Sequence, residues 1–232
     1  MSEEIDAVMF DAGGTLIDLK PSKAEVFQRV LRESGFDAPL EKVAMLVAVA
    51  ERKFDERASK LGGIDEGGFW EEYDKFIMDG VGFNGDWTRF SRDLTNEFRR
   101  VIPEVESWAE YPDARPLLED LREREFRLGV ITNATDLVEK VLDNLHLTDY
   151  FDPIVVSDKV GVRKPSERIF LIAADKARVR PNRILYIGDR LEIDVLGAKR
   201  AGMNAVLLDR MNAYRDVDCL RIRSLSALRR FL

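Results

Sequence analysis

Ala7-Val8-Met9-Phe10-Asp11-Ala12-Gly13-Gly14-Thr15-Leu16 joins an unbroken apolar run to an aspartate and two glycines. A short apolar run without polar alternation reads as a strand buried on both faces, which is the pattern of a parallel sheet. The same pattern recurs at 128–131, 154–156, 184–187 and 205–208. Segments with helical periodicity lie between these runs, at 114–125, 137–145, 167–177 and 195–201. Strands alternating with helices predict an α/β fold, a doubly wound parallel sheet with right-handed crossovers. Gly202 stands where the last of these helices calls for a left-handed C-terminal residue.

Residues 20–109 break the pattern. They carry amphipathic runs at 23–34 and 40–60 but no buried strand, so they read as an all-helical insert, smaller than the core formed by 1–19 and 110–232. The insert leaves just after the first strand and returns through Tyr111-Pro112-Asp113. That position makes it a cap over the strand ends, where open α/β sheets bind ligands. Gly-containing stretches at 61–68 and 80–85 read as loops between its helices, and within them Gly62-Gly63 and Val81-Gly82-Phe83-Asn84 are the candidates for setting specificity. Phe69, Trp70, Tyr73, Phe76, Phe83, Trp87 and Phe90 read mainly as its core, since an insert of this size must bury its aromatics to hold a shape.

The 232 residues suffice for one large domain or for a core with a smaller insert. A formal net charge of -7 disfavours a nucleic-acid surface. The basic residues Arg221, Arg223, Arg229 and Arg230 near the end read as a solvated tail. One cysteine, Cys219, rules out an internal disulfide and fits a reducing compartment. No apolar stretch approaches the roughly 20 residues needed to span a bilayer, and the acidic start lacks the pattern of a signal peptide. The expected location is the cytoplasm, the expected state a monomer or homodimer, without membrane or nucleic-acid partners.

Four short elements carry chemistry. Asp11 leaves the first strand into Ala12-Gly13-Gly14, where glycine permits close approach of the backbone to an anion. Thr132 and Asn133 end the second predicted core strand with a hydroxyl and an amide. Lys164 precedes Pro165-Ser166, which lead into a helix. Gly188-Asp189-Arg190-Leu191-Glu192-Ile193-Asp194 gathers three carboxylates, a costly concentration unless a cation or protons neutralise it. Taken singly, each has a bland reading: a turn cap, a strand end, a solvated lysine, a charged loop. A nucleophile, a hydroxyl, a lysine and metal-type carboxylates all leaving carboxyl ends of strands favour a shared phosphate site.

In this order the four elements resemble the motifs of the haloacid dehalogenase superfamily, which has a Rossmann-like core and often a helical cap after the first motif. The resemblance covers the core and is reinforced by Asp194-Val195-Leu196-Gly197-Ala198-Lys199-Arg200-Ala201-Gly202-Met203. It implies a Mg²⁺-dependent phosphatase of a small phosphorylated metabolite that works through an aspartyl-phosphate on Asp11. It further implies Asp11, the Gly13 carbonyl and Asp189 as metal ligands. Thr132 and Lys164 would act on the transferring group, Gly14, Thr132, Asn133 and Lys164 would bind substrate, and Asp194 would orient Lys164 or a metal-bound water.

Gly13 departs from the pattern. Phosphatases of the superfamily usually carry a second Asp two residues after the nucleophile, as general acid and base, and losing such a group forfeits about 10² to 10⁴ in rate. The competing readings are a weakly active or non-catalytic phosphate-binding protein and a phosphonatase- or dehalogenase-like hydrolase. For a phosphonatase, Lys53 is the candidate Schiff-base lysine of the insert. Asp189 argues against the dehalogenase, which works without metal. His146, the one histidine, reads as a helix-terminal residue and not as a base.

Overall fold

The structure, a computed structural model, describes residues 4–61 and 68–232. In chain order the elements are β1 (Ala7–Phe10), β2 (Ile17–Leu19), α1 (Lys23–Glu33), α2 (Leu40–Leu61), α3 (Phe69–Val81), α4 (Trp87–Val101), β3 (Trp108–Glu110), α5 (Ala114–Glu123) and β4 (Arg127–Thr132). There follow α6 (Leu137–Asn144), β5 (Ile154–Val156), α7 (Ser157–Val160), α8 (Glu167–Ala177), β6 (Ile184–Gly188), α9 (Gly197–Arg200), β7 (Asn204–Leu208) and β8 (Arg221–Ile222). The chain divides into two compact units, Met1–Asp18 with Ala109–Leu232, and Leu19–Trp108.

The first unit is built on a six-stranded sheet of order β5-β4-β1-β6-β7-β8, parallel throughout. β1, β4 and β6 are buried almost from end to end, which is why their sequences are apolar without alternation. The strands run outward to both sides of β1, so β1 is the switch point where an open α/β sheet leaves a crevice at its carboxyl ends. Register puts Phe10 level with Val130 on one side and Ile187 on the other. Asp11, Ile131 and Gly188 therefore come next on three adjacent strands. Gly202 is left-handed at φ 83 after α9, as its position demands.

Two readings of this unit are corrected. The helix expected at 195–201 is α-helical only over α9; before it, Leu191–Leu196 forms a π-helical turn in which the Val195 N–H reaches the Arg190 carbonyl. The widening has a local cause, because the buried Asp194 carboxylate turns back to accept the Arg190 N–H at 3.0 Å. The supposed solvated tail includes an edge strand: Arg221 and Ile222 pair with Leu207 and Leu208, and Arg221 is bonded to Asp209 at 2.7 Å. A two-residue strand has no apolar run to announce it.

The second unit consists of α1 to α4 around its own core, with Phe27, Val43, Ala50, Ile77, Phe90 and Leu94 fully or almost fully buried. Ser22 and Glu25 form a capping box at α1, and Asp86 caps α4 through the Arg89 N–H. Phe54 meets Phe69, Tyr73 and Phe76 edge-on at 5.8 to 6.2 Å, so most of the aromatics are core. Trp70 is the exception, 55% exposed. Gly62 and Gly63 lie outside the described residues. Gly80 is part of α3 and not of a loop: a Cβ there would meet Leu46 at 2.5 Å, so the glycine lets α2 and α3 approach, and the turn begins at Gly82 with φ 88. Lys53 lays its ammonium over the Phe76 ring at 4.2 Å. Among the described residues no helix is long and apolar enough to cross a membrane.

Candidate active site

Asp11 extends β1 by one residue, its N–H donating to the Ile187 carbonyl at 2.8 Å. The next residues close a tight loop: the Leu16 and Ile17 N–H groups both donate to the Ala12 carbonyl, and Gly14 N–H donates to Ile17. Gly14 has φ 80, and a Cβ there would lie 2.5 Å from Asp189 Oδ2. Glycine is thus required twice at position 14, by the backbone and by the carboxylate of the neighbouring strand end. Position 13 is the reverse, since a Cβ there would meet nothing within 4 Å.

Lys164 reaches Asp11 from the loop before α8. Its Nζ donates to Asp11 Oδ1 at 2.7 Å, to Asp194 Oδ1 at 2.6 Å and to Tyr186 Oη at 2.9 Å. All four groups are buried, and Lys164 is only 3% exposed. The loop is held from β4: Asn133 donates its amide to the Lys164 carbonyl at 2.9 Å and accepts the Lys164 N–H at 2.7 Å. Asn133 thus holds the Lys164 loop against β4 through both polar atoms of its side chain. Thr132 is the last residue of β4 and is buried.

Burial pushes the Asp11 carboxyl above its ordinary pKa; Lys164 opposes that push and Asp194 adds to it. For Lys164, burial works against the charge, but the Asp11 and Asp194 carboxylates outweigh it and hold the ammonium above its usual pKa. Tyr186 is pushed well above its ordinary value by burial and then by Asp194 and Asp11, so its hydroxyl keeps its proton.

Asp11, Asp189 and Asp194 each bring one carboxylate oxygen within 4.8 Å of the others. Three carboxylate oxygens this close form an all-oxygen donor set that suits a hard cation such as Mg²⁺. Asp194 has one oxygen on Lys164 and Tyr186 and the other on the Arg190 N–H, which leaves Asp11 and Asp189 as the better candidates to hold the ion.

Sequence reasoning missed several supports. Thr15 is fully buried and stands 3.5 Å from Asp189 Oδ1 through its hydroxyl. Its carbonyl accepts from Arg210 at 3.0 Å, and Arg210 also forks onto Asp113 at 2.9 Å and stacks 3.8 Å from the Tyr111 ring. In the sequence Tyr186 is one more residue of the apolar run at 184–187. A tyrosine inside a strand buried on both faces is itself a signal, because its hydroxyl must find a partner.

Residues 5–202 match the haloacid dehalogenase-like hydrolases. The chain belongs to that family. Among its relatives is a glyceraldehyde 3-phosphate phosphatase of Methanopyrus kandleri, 41% identical over 110 residues, 47% of this chain and 46% of that protein. A phosphoglycolate phosphatase of Aquifex aeolicus is 29% identical over 86% of this chain and 83% of its own length. The chain thus spans less than half of the glyceraldehyde 3-phosphate phosphatase and most of the phosphoglycolate phosphatase. A phosphatase of the same family from Thermococcus onnurineus shares the fold with TM-score 0.60 and 26% identity, over 98% of this chain and 97% of that one. A dehalogenase, 23% identical with TM-score 0.64 over 100% of this chain and 99% of the other, shares the fold alone.

Proposed function

We propose that this family member is a Mg²⁺-dependent phosphatase of small phosphate monoesters, in which Asp11 is the nucleophile. The observation that carries the reading is the buried contact of Lys164 with Asp11 at 2.7 Å, in a cluster with Asp189 and Asp194 at the carboxyl ends of the central strands. Asp11 attacks phosphorus: an Asp11 oxygen to phosphorus bond forms as the bond to the ester oxygen breaks. Water then attacks the aspartyl-phosphate, returning the carboxylate and releasing phosphate. Lys164 stays protonated throughout and offsets charge spreading over the transferring oxygens, with the Thr132 hydroxyl at the neighbouring strand end. Bound Mg²⁺, held by Asp11, Asp189 and the Gly13 carbonyl, would neutralise charge between carboxylate and phosphate. Asp194 holds the far side of Lys164.

The leaving oxygen needs a proton when it is an alkoxide; Gly13 supplies none, so in this reading water supplies it, at a cost in rate. The same gap favours a second reading, a phosphate-binding protein with little turnover. Relatives named for glyceraldehyde 3-phosphate, phosphoglycolate and ribulose-1,5-bisphosphate act on small phosphate esters, and their names support that substrate class here. Lys53 over its aromatic ring is engaged in packing, which gives the phosphonatase reading no support.

The test is phosphate release from glyceraldehyde 3-phosphate, phosphoglycolate, phosphoserine and p-nitrophenyl phosphate, each with Mg²⁺ and with chelator. Metal-dependent release that vanishes in Asp11→Asn is expected. Phosphate binding without release above that variant's background would favour the binder.

A further inference from the structure

An ammonium has three N–H donors, and Lys164 spends all of them, on Asp11 Oδ1, Asp194 Oδ1 and Tyr186 Oη. It can engage a phosphoryl oxygen only by exchanging one of these bonds. Of the three acceptors, Asp11 is the one whose chemistry changes in the reaction, because a carboxylate oxygen that has bonded phosphorus is a weaker acceptor. The other two bonds can persist. Tyr186 Oη has a single proton, which goes to the Ile131 carbonyl at 3.1 Å or to Asp194 Oδ1 at 3.0 Å, so that a lone pair remains for Lys164. That hydroxyl ties β6 to β4 one residue before Thr132.

The ring of Tyr186 is fully buried and packs edge-on against Phe170 at 5.1 Å. Phenylalanine would serve this packing without burying a hydroxyl that has to be satisfied. Of the hydroxyl's contacts with the Ile131 carbonyl, Asp194 and Lys164, the one with Lys164 reaches the group that faces Asp11. We propose that Tyr186 is a positioning residue for phosphoryl transfer: with Asp194 it fixes the direction of the ammonium, so that the N–H now on Asp11 is the one handed to the transferring oxygens. The proposal rests on the reading of Asp11 as nucleophile and Lys164 as its charge partner.

Tyr186→Phe tests it with the phosphate ester that turns over best in the presence of Mg²⁺. We expect kcat to fall about 10- to 100-fold, the cost of slight misplacement of a reacting group, with KM within about threefold and with the protein still folded at the assay temperature, as its thermal midpoint reports. In a Lys164→Ala background the same substitution should change the residual rate less than about twofold, because the hydroxyl influences the reacting group through the ammonium. Parental kcat in Tyr186→Phe, or an equal loss in both backgrounds, would overturn the proposal. An active Asp11→Asn would instead bring down the reading beneath it, whereas an inactive Asp11→Asn beside a fully active Tyr186→Phe would sink the positioning role alone.

Discussion

Positions 13 and 14 are adjacent glycines with opposite requirements. At Gly14, alanine combines a disfavoured φ with a Cβ 2.5 Å from Asp189 Oδ2, so Gly14→Ala is expected to lower kcat/KM at least about tenfold by displacing that carboxylate. Steady-state kinetics check this, and an unchanged kcat/KM would mean that the approach of the two loops is unimportant. Space is open at Gly13, so Gly13→Asp should fold normally and raise turnover of alkyl phosphates more than of aryl phosphates, whose leaving group needs less protonation. Equal or reduced rates for both classes would refute this account of the missing acid. Asp11 and Asp189 were legible because charged residues at the ends of apolar strands need a reason, and Lys164 because Pro165-Ser166 after it mark the start of a helix. Tyr186 was not, because a strand pattern reads it as filler, and Thr15 was not, because its partners Asp189 and Arg210 lie 174 and 195 residues away in the chain. The Asn133 side chain was legible as a polar group, but its partner, a main chain 31 residues away, was not.

At the scale of elements, strands long enough to show an apolar run were read to within one residue, as at β1, β5 and β6. The π-helical turn and β8 escaped, because one is dictated by a buried side chain and the other by pairing alone. The stretch from β7 to β8 depends on Asp209, which is 4% exposed and accepts from the Ala213 and Tyr214 N–H groups and from Arg221. Asp209→Ala would take a buried acceptor from two backbone N–H groups and one of two acceptors, the other being Asn212 Oδ1, from a half-buried guanidinium. The expected loss is about 2 to 4 kcal/mol, measured as a lower denaturant midpoint. A change below about 0.5 kcal/mol would show that water takes over those donors.

At the scale of the whole molecule, the chain carries two cores, and the helical one was legible as helices without its internal pairings. Phe90, fully buried and 5.1 Å from the Phe83 ring, holds that second core; Phe90→Ala should cost about 3 to 5 kcal/mol in chemical unfolding. On α3, burial raises the Asp74 carboxyl to a pKa of about 7. The folded chain then keeps a proton that the unfolded chain releases from about pH 4 upward, so stability declines with rising pH up to about 7. Asp74→Asn should leave stability unchanged at pH 4 and raise it at pH 8, by about 2 kcal/mol once solvent screening is allowed for. The same increment at both pH values would contradict that origin.

The central claim is that Asp11 takes up the phosphoryl group. Borohydride trapping during turnover of a phosphate ester with Mg²⁺, followed by peptide mass analysis, reads this directly. The account predicts conversion of the aspartate at position 11 to homoserine, dependent on both substrate and Mg²⁺. Turnover with an unmodified position 11, or with reduction at another carboxylate, would contradict it.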